Sequence, residues 1–161
     1  MSSEENAATA RRWFTQGWSG DVAMADDIFA SEFATNGLIV GLAGPKRNVA
    51  NRLAGFPDIS ITIEEQIAAG DTVVTRLLWR GTHTGPYSGV PPTGKPVEAR
   101  SIAIWHFASG KAVEAWNVLD QFGLLPQIGA IPPQITGAQV PAPSDEGAGA
   151  LRESRANGSC D

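Results

Sequence analysis

The chain is short of the residues that most often announce chemistry or location. Its one cysteine is Cys160, next to the C-terminus, so neither an internal disulfide nor a cysteine-based metal site can be built. Histidine is limited to His83 and His106. Basic residues are in deficit, 12 against 17 acidic ones, and the net charge is −5. No positive field is available to attract a phosphate backbone, so nucleic acid is not an expected partner. No apolar run approaches the roughly 18 residues of a membrane span, and no membrane partner is expected. The first residues, Met1-Ser2-Ser3-Glu4-Glu5, are acidic and polar, unlike the basic and then apolar start of a secretory signal. A cytoplasmic protein without metal or cofactor fits these absences.

What is present is enough for one core: 161 residues, 42% of them hydrophobic. Ala7, Ala10, Phe14 and Trp18 recur at spacings of three and four and predict a helix over 4–18, closed by Gly17 and Gly20. Met24, Ile28, Phe29 and Phe33 predict a second helix over 21–34, with Asp21 as its N-cap. Pro45 opens a third, over 46–54. After Pro57 the period becomes two. Strands are predicted at 59–65, 72–80, 97–107 and 111–120, the last two joined by a tight turn at Ser109-Gly110. A Gly/Pro-rich loop occupies 81–95. Helices followed by consecutive strands imply an α+β fold with helices packed on one face of an antiparallel sheet. From Ile131 the composition turns to Pro, Gly, Ala and Ser, so a domain over 1–130 and a disordered tail over 131–161 are expected.

Between Phe56 and Gly129 lie Gly81-Thr82-His83-Thr84-Gly85, then Gly89-Val90-Pro91-Pro92-Thr93-Gly94, a hairpin turning at Gly110-Lys111 with Trp116 in its second strand, and finally Asp120-Gln121-Phe122-Gly123-Leu124-Leu125 and Gln127-Ile128-Gly129. With these pieces the chain resembles the SnoaL-like polyketide cyclases. The resemblance implies a nuclear-transport-factor-2-like cone, in which a curved sheet wraps N-terminal helices around a conical cavity. It also implies a mostly cofactor-free, oligomeric enzyme that closes polyketide rings by intramolecular aldol chemistry, or a relative that assists hydroxylation. The acid/base Asp of the aldol cyclases falls at Asn117 and their His at Ala103. An amide cannot take a proton from carbon, although it can donate and accept hydrogen bonds. The chain therefore departs from the pattern at both positions.

On the face of Asn117 lie Ser101, Ala103, Trp105 and Leu119, whose small members leave room in a concave sheet. Phe14, Trp18, Phe33 and Trp79 are candidate aromatic walls of an apolar pocket, or ordinary core residues. Other candidate catalytic groups remain open. His83 and Tyr87 lie in the loop expected to edge the cavity, where His83 is either an acid/base or a backbone-bonded loop histidine. Glu65 falls on the face of Ile61 and Ile63, as a desolvated base or an edge salt bridge. Asp120 ends its strand and is expected to bond backbone at the following turn. Register argues against a pair of His106 with Asp120, since His106 should lie opposite about Val113, and His106 reads as a solvated strand histidine. Ile102, Ile104, Trp116 and Val118 make an apolar patch on the other sheet face, which a homodimer or higher homo-oligomer would cover. The expected function is ring closure of a hydrophobic polyketide-like small molecule by shape and hydrogen bonding, as in pericyclic or epoxide-opening cyclisation. A cofactor-independent hydroxylase or hydrolase and a non-catalytic binding protein are the alternatives.

Overall fold

A computed structural model describes residues 2–131. The expected tail lies outside the described residues except for Ile131. Helix α1, Ser3–Thr15, begins in a reciprocal cap. The Ser2 hydroxyl accepts from the Glu5 amide at 3.2 Å, and Glu5 Oε2 accepts from the Ser2 amide at 2.7 Å. Its buried stripe takes in Ala10 and Phe14 as expected, together with Trp13. The Trp13 ring lies where a Cβ on Gly17 would be, so the turn that seats Trp18 needs glycine there.

The helix expected over 21–34 is a correction. Only Ala25–Ile28 is α-helical (α2), after one 3₁₀ turn at Val22–Met24, and the chain then extends as strand β1, Phe29–Thr35. Phe29 and Phe33 are four apart, a spacing that places two side chains on one face of either a helix or a strand. Asn36 and Gly37, both with positive φ (48° and 81°), turn β1 into the short β2, Leu38–Ile39. Helix α3, Ala43–Gly55, follows. Then come β3 (Ser60–Ala69), β4 (Thr72–Thr82), β5 (Pro96–Ala108) and β6 (Lys111–Leu119), and a final helix α4 (Gln121–Gln127) that periodicity did not anticipate.

Among the described residues the sheet has six strands in the order β2-β1-β6-β5-β4-β3, curved and unclosed. It is antiparallel except that β1 runs parallel to β6. The β5–β6 turn is the expected one, with Ser109 and Gly110 at φ 49° and 80°. The register shifts in three places, between Phe29 and Ala34 of β1 against β6 and at two single-residue bulges. Val113 is the extra residue of β6, so His106 faces Glu114. Glu64 is the extra residue of β3, so Ile63 pairs with Leu77 but Glu65 pairs with Arg76. The concave face packs on α1 through contacting aromatic rings. Trp13 meets Phe29 edge-on at 4.9 Å, Phe14 lies 5.2 Å from Trp105, and Trp18 meets Trp79 edge-on at 4.4 Å. No helix among the described residues is long and apolar enough to cross a membrane.

Candidate functional site

The aromatic layer does not fill the cone. A cavity of about 330 Å³ remains between α1, α3 and the concave face, within the size range of small-molecule sites. Phe14, Trp18, Phe33, Trp79 and Trp105 line it, and Leu119 and Ser101 complete the sheet side. Ala103 is buried in the core beside the cavity and is not part of its wall. Trp79 Nε1–H donates to Ser101 Oγ at 2.6 Å, which leaves the Ser101 proton free to be donated. Asn117 is also in the wall, at its solvent-exposed end. Across the opening, α3 contributes the exposed Arg47, Asn48 and Asn51 and the half-buried Arg52.

Asn117 is positioned from three sides. The β5–β6 ladder sets it directly opposite Ala103, the register anticipated from the hairpin turn. Its backbone N–H donates to Asn36 Oδ1 at 2.8 Å, and its carbonyl accepts from Asn36 Nδ2 at 3.3 Å. Its own Nδ2 donates to Thr35 Oγ1 at 3.1 Å. Thr35 and Asn36 are therefore site residues, and the sequence reading missed both because it placed them beyond a helix. The dipeptide Asn36-Gly37, a strong hairpin signal, marks the turn that holds them.

The other candidate acids and bases stand away from the cavity. Glu65 is on the outer face, 3.4 Å from Arg76, because the bulge at Glu64 reverses the alternation that placed it with Ile61 and Ile63. Asp120 caps α4, accepting from the Gly123 amide at 2.7 Å, the backbone bond expected of it. His83 is fully buried rather than at the mouth. Its Nδ1 lies 3.0 Å from Thr93 Oγ1, its ring is 5.4 Å from Phe56, and its Nε2 has no partner among the described residues. Tyr87 exchanges hydrogen bonds with Gln121 and sits 5.3 Å from the Arg52 guanidinium, behind the cavity wall. Burial lowers the Arg52 pKa from its ordinary value, and the neighbouring Tyr87 opposes that shift. Among the described residues no three His, Cys, Asp or Glu side chains are grouped to hold a metal ion.

The glycine-threonine motif has a structural purpose. Asp58 accepts from both the Thr82 amide and the Thr82 hydroxyl at 2.7 Å. The Gly55 carbonyl accepts from the amides of Thr84 and Gly85, so the loop is docked on the last turn of α3. The helix that rims the cavity is held by that loop.

A model of the SnoaL-like polyketide cyclases matches residues 8–128. No curated protein matches the chain. Similar solved structures include a candidate SnoaL-like polyketide cyclase from Jannaschia sp. CCS1, with a TM-score of 0.72 and 26% identity over 80% of this chain and 94% of that one. The candidate hydroxylase AclR from Streptomyces galilaeus has a TM-score of 0.73 and 26% identity over 81% and 100%. IdmH from Streptomyces antibioticus, a candidate polyketide cyclase, has 0.69 and 27% over 77% and 98%.

Proposed function

Because the chain belongs to the SnoaL-like polyketide cyclase family, we propose that it is a cofactor-free cyclase that closes a ring in a hydrophobic polyketide-type intermediate held in the conical cavity. The observation that carries this reading is the composition of the wall. Asn117 and Ser101 line the cavity with hydrogen-bonding groups, whereas among the described residues none of its lining side chains is a carboxylate or an imidazole. Removing a proton from carbon needs a base, and the described wall offers none. Pericyclic closure or epoxide opening needs instead a folded chain and polarised oxygen. Aromatic walls that hold the substrate near its reactive shape can offset several kcal/mol of barrier, up to ~7–11 in ideal cases. Asn117 and Ser101 are then the donors that polarise a substrate carbonyl or epoxide oxygen.

The test is the mass of the product. The enzyme is incubated with linear polyketide-type acids and esters, in labelled water or under labelled oxygen. Ring closure by isomerisation gives a product of unchanged mass and no label. Label from oxygen gas would overturn the cyclase reading in favour of a hydroxylase, the second reading, which the similarity to AclR favours. Label from water would indicate a hydrolase. Binding without any product would make the protein a small-molecule carrier.

A further inference from the structure

We infer that the ligand of this cavity carries a carboxylate, held at the rim by Arg52 with Arg47. This deepens the reading just given and rests on it for the identity of the cavity. The argument is one of charge. The chain has a net charge of −5, and on the outer sheet face each arginine has a carboxylate: Arg76 pairs with Glu64 and Glu65, Arg80 with Glu98, Arg100 with Glu64 and Glu98. The cavity is the reverse. Among the described residues two arginines line it, no Asp or Glu does, and neither arginine has a carboxylate partner.

Arg52 is built into its place. Its guanidinium lies 6.0 Å from the Trp79 ring and 5.3 Å from Tyr87, so aromatic faces flank the charge. The half-buried stem leaves α3 on the same side as Asn48 and Asn51, the side that faces the opening. A cation flanked by rings at the mouth of an apolar cavity suits an amphipathic anion whose rings enter and whose charged end stays at the rim. A guanidinium offers a planar pair of N–H donors, and a carboxylate is the planar group that accepts both. The acid rather than its ester is thus the form the rim recognises.

The probes are anthraquinone-2-carboxylate and its methyl ester, which share one ring system and differ in charge. Binding is read by quenching of tryptophan fluorescence, since Trp13, Trp18, Trp79 and Trp105 line the cavity. The acid is expected to bind about tenfold more tightly than the ester at low salt, with the difference shrinking as salt rises. In Arg52→Met, which keeps the apolar stem, the acid-to-ester ratio falls toward one, and Arg52→Lys restores part of it. Equal binding of the two probes by the natural chain overturns the inference and leaves the cavity reading standing. A preference that survives Arg52→Met combined with Arg47→Met also overturns it. Failure of both probes to quench overturns the inference together with the cavity reading beneath it.

Discussion

The carboxamide of Asn117 is tethered on one side only. Thr35 Oγ1 takes one of its hydrogens, and its backbone is gripped by Asn36, so Oδ1 and the second N–H remain for a ligand at the cavity wall. If that amide stabilises charge developing on oxygen, Asn117→Ala slows turnover by roughly 10- to 1000-fold, as loss of one oxyanion donor does. Asn117→Asp gives no gain in a reaction without a base. A rate that climbs as the new carboxylate ionises would return the chemistry to proton abstraction. Thr35→Val removes the acceptor that orients the amide and is expected to lower kcat with little change in KM, measured by steady-state kinetics. The facing of Asn117 and Ala103 was legible because a two-residue turn fixes the register of the whole hairpin. The tether was not, because Asn36 and Asn117 are 81 positions apart and only the folded sheet joins them.

At the scale of elements, periodicity served where one period was available and misled where two coincided. Strands β4 to β6 were read nearly to their ends, although the extra residue Val113 in β6 was not. Phe29 and Phe33 fit a helix and a strand equally, and the choice was settled by β6, which offers β1 an open edge for parallel pairing. The extra residue in β3 could not be seen either, since Ile63-Glu64-Glu65 carries no mark of a bulge, and it moved Glu65 to the opposite face. The loop that holds α3 makes its own predictions. A Cβ at Gly85 would collide with the Ala54 carbonyl oxygen, so Gly85→Ala must displace either the loop or the end of the helix. The expected loss is about 1–3 kcal/mol, several degrees in thermal melting, with weaker ligand binding at the rim. Asp58 has its pKa lowered first by the Thr82 hydroxyl and then by the Thr82 amide. Its ionised form is favoured in the fold, so its contribution is present above the unfolded carboxylate pKa and is lost as pH falls through the lower folded one. Denaturant titrations should show the natural chain losing stability more steeply than Asp58→Asn below about pH 4.

For the molecule as a whole, the outer sheet face carries Ile102 opposite Val118 and Ile104 opposite Trp116, with Trp116 47% and Val118 73% exposed. Arg76, Arg80 and Arg100 share that side of the sheet with Glu64, Glu65 and Glu98, so a two-fold-related copy would meet charge of both signs. We propose that a second copy of the chain covers this patch. Light scattering at micromolar concentration should give at least a dimer mass, and Trp116→Lys should shift it toward the monomer; a monomeric natural chain would refute the proposal. The parallel pairing of β1 with β6 has a different consequence, one of timing. During synthesis the strand that ends at Thr35 has no neighbour on that edge until Ala115 has left the ribosome. At about 5–20 residues per second the wait is on the order of 4–16 s. Through that interval the core residues Trp13, Phe14 and Trp18 have no completed sheet to shelter against, and the nascent protein stays sticky until its last strand arrives.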